Sequence, residues 1–115
     1  MRKGYRTYTP AELTVWIREL IAEGRLYRFY KSREFLRLRG DVLEEFHHEC
    51  QRCLKRGKYT RATVVHHEKH VKDFPALALS RTYTDEKGVI HRQLTPLCDT
   101  CHNEVHPEKR VRGEV

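Results

Sequence analysis

Cys50-Gln51-Arg52-Cys53 and Cys98-Asp99-Thr100-Cys101 are two CxxC pairs that contain all four cysteines of the chain. A CxxC turn sets two thiolates about 2.3 Å from one ion, and two such turns complete the tetrahedron that Zn²⁺ prefers. The stretch from Cys53 to Cys98 is longer than a zinc-ribbon insert, so the metal pins both ends of a substantial segment. No βαβ context surrounds either pair, which argues against a thioredoxin-like redox motif. Four cysteines can also form a disulfide framework, but Met1-Arg2-Lys3-Gly4-Tyr5 is basic and lacks the apolar stretch of a secretory leader. The expectation is a structural four-cysteine Zn²⁺ site in a protein of the reducing cytoplasm.

The 115 residues, 38% hydrophobic and 34% charged, suit one small domain with a thin apolar core, for which a metal staple compensates. No run approaches the roughly 18 apolar residues of a membrane span, so no membrane partner is expected. Lys and Arg outnumber Asp and Glu 23 to 16, a net charge of +7, and thiolates on zinc lower this without reversing its sign. A basic surface of this kind favours a polyanion, DNA first.

Upstream of the first pair, residues 1–8 read as a basic arm. Thr9-Pro10-Ala11-Glu12 reads as a helix start, with Thr9 as N-cap, Pro10 in the first position and Glu12 closing a capping box. Leu13, Trp16, Ile17, Leu20 and Ile21 form one apolar stripe, and Gly24 ends it. Arg25-Leu26-Tyr27-Arg28-Phe29-Tyr30-Lys31 interleaves aromatic and basic residues. It suits either a DNA-contacting connector or one that buries Phe29 and Tyr30. Ser32 caps a second helix with Phe35, Leu38, Val42, Leu43 and Phe46 on its buried side, and Gly40 marks a potential break. Between the pairs, Ala62–His66 reads as a β-branched strand, and Thr82–Thr84 with Val89–His91 as a hairpin around a turn containing Gly88. Leu94-Thr95-Pro96-Leu97 leads into the second pair, and a short helix runs from about Asp99 to Pro107.

Eight histidines are present, and four stand out by position. His102 and His106 are spaced i, i+4 on one helical face, where two imidazoles can converge on an ion. The helix that carries them starts at the zinc knot. His66 ends a strand that leads back to the first pair, so His66, His102 and His106 can surround a second, open metal site. Strand alternation points His66 and His67 to opposite faces, and a twist at the strand end or a phosphate between them is needed to join both to one reaction.

The order CxxC, Val64-Val65-His66-His67, then Leu97-Cys98-x-x-Cys101-His102-Asn103 closely resembles the HNH endonucleases, in particular the short phage and prophage type. The resemblance covers about residues 29–107, leaving 1–28 as an N-terminal arm and helix and 108–115 as a charged tail. It implies an α+β fold: a ββα-metal, treble-clef-like core stapled by the four-cysteine zinc site, with N-terminal helices. By position it implies His66 and His102 as metal ligands, His106 as a third candidate ligand, and His67 as the general base that activates water. The family's middle asparagine, which orients the base, falls at Gln93, one methylene longer.

The implied activity is divalent-metal-dependent hydrolysis of DNA phosphodiester bonds with low sequence specificity, by a monomer or weak dimer. The implied ion is Mg²⁺ or Mn²⁺, with Zn²⁺, Ni²⁺ or Co²⁺ tolerated by an imidazole set. A link to phage terminase and genome packaging accompanies the resemblance. The competing reading is a zinc-stabilised DNA-binding or packaging-partner protein without catalysis, which would have no need of His67 beside His66 and His102.

Overall fold

The computed structural model describes residues 7–105. In chain order these form α1 (Pro10–Ala22), α2 (Tyr27–Tyr30), α3 (Arg33–Glu45), α4 (Gln51–Lys55), β1 (Val64–His67), a 3-10 turn (Pro75–Leu77), β2 (Thr82–Thr84), β3 (Ile90–Arg92), β4 (Leu94–Leu97) and α5 (Asp99–Val105).

Helix α1 begins where its capping chemistry dictates. The Glu12 N–H donates to Thr9 Oγ1 at 3.1 Å, and the Thr9 N–H donates to Glu12 Oε1 at 3.0 Å. Leu13, Ile17 and Leu20 are buried against Phe29, Phe35, Val71 and Ala78. The aromatic–basic connector is thus resolved in favour of burial: Phe29 is fully enclosed, and Tyr30 meets Phe29 and Phe35 edge-on. Burial pushes the Tyr30 phenol up to about 12, so it stays neutral.

Ser32 caps α3, its Oγ accepting from the Phe35 N–H at 3.2 Å. The helix runs unbroken through Gly40 to Glu45, contrary to the expected break. A mid-helix glycine costs only about 1 kcal/mol against alanine, and burial of Phe35, Val42 and Leu43 along one face outweighs it. The stop comes at His47 and His48, both left-handed at φ 55° and 57°. The His48 N–H closes on the Leu43 carbonyl at 2.8 Å, and the Cys50 N–H reaches the Thr60 carbonyl at 2.8 Å. This reversal delivers Cys50 to the N-cap of α4.

Strands β1 and β4 pair antiparallel, with Val65 opposite Pro96, His66 opposite Thr95 and His67 opposite Leu94. The strand expected at Ala62–His66 therefore lies at Val64–His67, and Leu94–Leu97, expected as a mere lead-in, is its partner. Pro96 is accommodated because the Glu68 N–H bonds the Gln93 carbonyl at 2.8 Å just past the strand ends. The bond is one-way, since the Gln93 N–H goes to the Arg81 carbonyl at 2.8 Å, but it turns the Glu68 backbone toward β4, and alternation along an antiparallel ladder then leaves Val65/Pro96 without mutual bonds. Val42 and Leu43 of α3 pack with Ala62, Val65 and Leu94 over one side, and α5 follows β4 directly. The result is the α+β, ββα-metal core that the sequence led us to expect.

The β2–β3 hairpin forms a separate two-stranded sheet. Its turn is held by Asp85, whose Oδ1 accepts from the Lys87 and Val89 N–H groups at 2.9 Å each. Among the described residues, no helix is long and apolar enough to cross a membrane.

Candidate active site

The first cluster is sulfur. Cys50, Cys53, Cys98 and Cys101 are free thiols, all buried, with ligand atoms within 4.8 Å of one another. Cys53 Sγ lies 3.9 Å from Cys98 Sγ and 3.7 Å from Cys101 Sγ. Sulfurs at about 2.3 Å from a tetrahedral zinc stand about 3.8 Å apart, so the spacing fits one ion.

The charges fit as well. Burial disfavours a Cys50 thiolate, but hydrogen bonds from the Cys53 and Cys98 backbone and from the Cys101 and Cys53 thiols outweigh it and bring Cys50 down to about 7. Cys101 moves the other way, up to about 12, through burial first, then its thiol contacts, then the charge at Cys50. Thiolates this close oppose one another's ionisation, and a soft-ligand divalent cation removes the conflict.

The knot fixes α4 and α5 together, and side chains reinforce it. Arg52 and Arg56 of α4 both reach Glu104 of α5, at 3.6 and 3.7 Å. Thr63 Oγ1, just before β1, donates to Asp99 Oδ1 at 2.6 Å. The start of β1 and the start of α5 are thereby held to each other.

That geometry brings His66 and His102 together: their ring centroids are 5.8 Å apart in an edge-to-face arrangement. Two imidazoles on one ion, each with a metal–nitrogen bond of about 2.1 Å, place their centroids about 5–6 Å apart. A chain segment from each side of the knot thus offers one nitrogen ligand. Among the described residues the cysteines are the only group of three or more metal-ligating side chains that converge. His106 lies outside the described residues.

His67 obeys strand alternation and turns to the other face. There it is buried, stacked at 5.4 Å on Phe35 and flanked by Phe29 at 6.3 Å and Tyr30 at 6.2 Å. Its Nε2 stands 3.0 Å from the Ala78 carbonyl oxygen. A carbonyl only accepts, so Nε2 carries the proton and the neutral ring keeps its lone pair on Nδ1.

Gln93 is fully buried, but its amide does not touch the His67 ring. It grips the Lys69 backbone, two residues beyond His67, accepting from the N–H at 2.9 Å and donating to the carbonyl at 2.8 Å. The amide therefore sets the path of the loop that leaves β1.

Two features escaped the sequence reading. One is the Phe29–Tyr30–Phe35 wall against His67, contributed by residues more than thirty positions upstream. The other is Glu68, whose Oε1 lies 3.8 Å from His66 Nε2 and whose Oε2 accepts from Thr95 Oγ1 at 3.0 Å. Glu68 also lines a cavity of about 380 Å³ with His66, Arg52, Lys55 and Arg92. The Lys69 ammonium rests 5.1 Å over both Phe74 and Tyr83.

No family model matches the chain, and no curated protein matches it. Among solved structures, the crystal structure of the HNH endonuclease of the deep-sea thermophilic bacteriophage GVE2, determined with a manganese ion, is similar at 31% sequence identity and a TM-score of 0.59. The match covers 86% of this chain and 95% of that one.

Proposed function

Because the chain belongs to the HNH endonuclease family and is a metal-dependent nuclease, we propose that it hydrolyses DNA phosphodiester bonds with little sequence preference, using His66, His67 and His102. The observation that carries the reading is the pairing of the His66 and His102 rings at 5.8 Å on one face of β1, with His67 held by the Ala78 carbonyl on the other. His66 and His102 would hold a divalent ion, Mg²⁺ or Mn²⁺ in the cell, and Cys50, Cys53, Cys98 and Cys101 would hold a structural Zn²⁺. When bound, the divalent ion supplies Lewis-acid stabilisation to the charge that develops on the phosphate and the leaving oxygen.

The protein's own part in the reaction is proton management and alignment. With Nε2–H committed to Ala78, the Nδ1 lone pair of His67 takes a proton from water once a phosphate lying across the end of β1 joins its two faces. The water oxygen bonds phosphorus as the bond to the 3′ oxygen breaks, and the departing oxygen takes a proton from solvent, which yields a 5′-phosphate and a 3′-hydroxyl. The aromatic wall around His67 limits its rotation, and Gln93 holds the following loop in register. Lys55 and Arg92, lining the cavity beside His66, contact backbone phosphates and so position DNA without reading its bases. The proposal extends to a cytoplasmic setting, where the thiols remain reduced, and to a packaging role beside a phage terminase, which co-purification tests.

Supercoiled plasmid provides the direct test. Relaxed or linear product with Mg²⁺ or Mn²⁺, and none with EDTA, is expected. His67→Ala should lower the rate about 10²–10⁴-fold while gel-shift affinity for DNA is kept. Undiminished cleavage by His67→Ala would remove the base from the mechanism, and DNA binding without any cleavage by the wild type would leave a binding module.

A further inference from the structure

Resting on the metal site of the preceding section, we propose that Glu68 is a third protein ligand to the catalytic ion, making the donor set two imidazoles and a carboxylate. Glu68 follows His66 by two residues at the end of β1, so both side chains leave the same face of the strand. The carboxylate is already oriented. Its Oε2 accepts from Thr95 Oγ1 at 3.0 Å, and Thr95 is the cross-strand partner of His66. Its other oxygen, Oε1, faces His66 Nε2 at 3.8 Å.

Adjacent ligands on one ion, each bonded at about 2.0–2.2 Å, sit about 3 Å apart, so less than an ångström of closure brings Oε1 and Nε2 onto a shared metal; the three ligand atoms do not all converge without an ion, and the metal must draw Glu68 and His102 in around His66. The 3.8 Å separation lies within ion-pair range if His66 is protonated but is beyond hydrogen-bond length, so no direct hydrogen bond between the two already uses up their donor atoms. Both side chains line the same cavity, so solvent and a phosphate have access to the ion.

A carboxylate changes which ions the site prefers. Imidazoles alone favour borderline metals such as Ni²⁺, whereas an anionic oxygen donor favours Mn²⁺ and Mg²⁺. The ligand therefore has a signature distinct from that of a group that merely steadies His66. Loss of a ligand oxygen weakens Mn²⁺ more than Ni²⁺, while loss of a steadying contact weakens both alike.

Isothermal titration of zinc-loaded protein with Mn²⁺ and with Ni²⁺ tests this on wild type, Glu68→Gln, Glu68→Asp and His66→Ala, with far-UV circular dichroism confirming the fold of each. Glu68→Gln is expected to weaken Mn²⁺ at least about tenfold and Ni²⁺ by clearly less, with Glu68→Asp in between for Mn²⁺. Mn²⁺ affinity within twofold of wild type in Glu68→Gln, or equal losses for the two metals, would overturn the assignment. His66→Ala separates this from the underlying site. If it loses Mn²⁺ while Glu68→Gln does not, only the Glu68 ligand falls; if it binds Mn²⁺ like wild type, the histidine site falls too.

Discussion

Gln93 holds Lys69 by both sides of its backbone, receiving the N–H at 2.9 Å on Oε1 and giving Nε2–H to the carbonyl at 2.8 Å. The two bonds lock the chain just after His66 and His67, and the Glu68 N–H to Gln93 carbonyl bond adds a third tie at the same level. One buried side chain thus replaces a turn of regular structure, and the strand exit inherits its rigidity.

Gln93→Ala leaves both Lys69 backbone groups to partial solvation, at a cost of about 2 kcal/mol in urea unfolding. Cleavage should fall further than stability does, because the loop positions the histidine pair. Gln93→Asn, shorter by a methylene, should keep one of the two bonds and fall between. Activity of Gln93→Ala equal to wild type on the folded fraction would show that the clamp is structural only.

The sulfur knot sets a hierarchy between the metals. Structural zinc sites in small domains contribute about 10–16 kcal/mol of apparent binding energy, comparable to the whole stability of a domain. Cys98→Ser, or prolonged chelation at mildly acidic pH, should therefore abolish the cooperative unfolding transition, and cleavage should not return on adding Mg²⁺ alone. Loading the four cysteines with Co²⁺ should give the strong visible and thiolate charge-transfer bands of a tetrahedral four-sulfur site.

Lys55 and Arg92 line the cavity beside His66, and the Arg92 guanidinium lies 4.3 Å over the Phe46 ring. If each neutralises one phosphate, its change to Ala should flatten the slope of log affinity against log salt by about 0.9. The loss should be the same on unrelated DNA sequences. A loss confined to certain sequences would mean that these residues read bases.

Asp85 couples the β2–β3 hairpin to acid. Its carboxyl is held below the ordinary 3.8 mainly by the hydrogen bond with His91, then by the Val89 N–H, while the Lys87 N–H contributes less. A depressed carboxylate stabilises the folded hairpin at pH above the ordinary carboxylate value, and this contribution disappears as pH falls through the lower folded value. Amide signals of Lys87 and Val89 should report the opening below about pH 4, and Asp85→Asn should remove that pH dependence.

The four-cysteine cluster, the α1 cap and the Thr82–Thr84 arm of the hairpin were legible because each depends on local spacing or on residues within a few positions. The β1–β4 pairing was not. Pro96 disguises β4, since a proline normally argues against a strand, and only the alternation of the ladder shows that its missing N–H is not needed. The Ala62–His66 run marked a strand, but its partner set the register, moving the element to Val64–His67. The burial of His67 was equally hidden, because Phe29, Tyr30 and Phe35 reach it through tertiary packing. Glu68 carried no signal in the sequence, because Thr95 and His66 come beside it only in the fold.

Pro96 also governs how copies of the chain can meet. It has no N–H and is itself fully buried, so this part of β4 offers an incoming strand neither a donor nor access. Edge-to-edge growth there is discouraged, and with it any self-templated fibre.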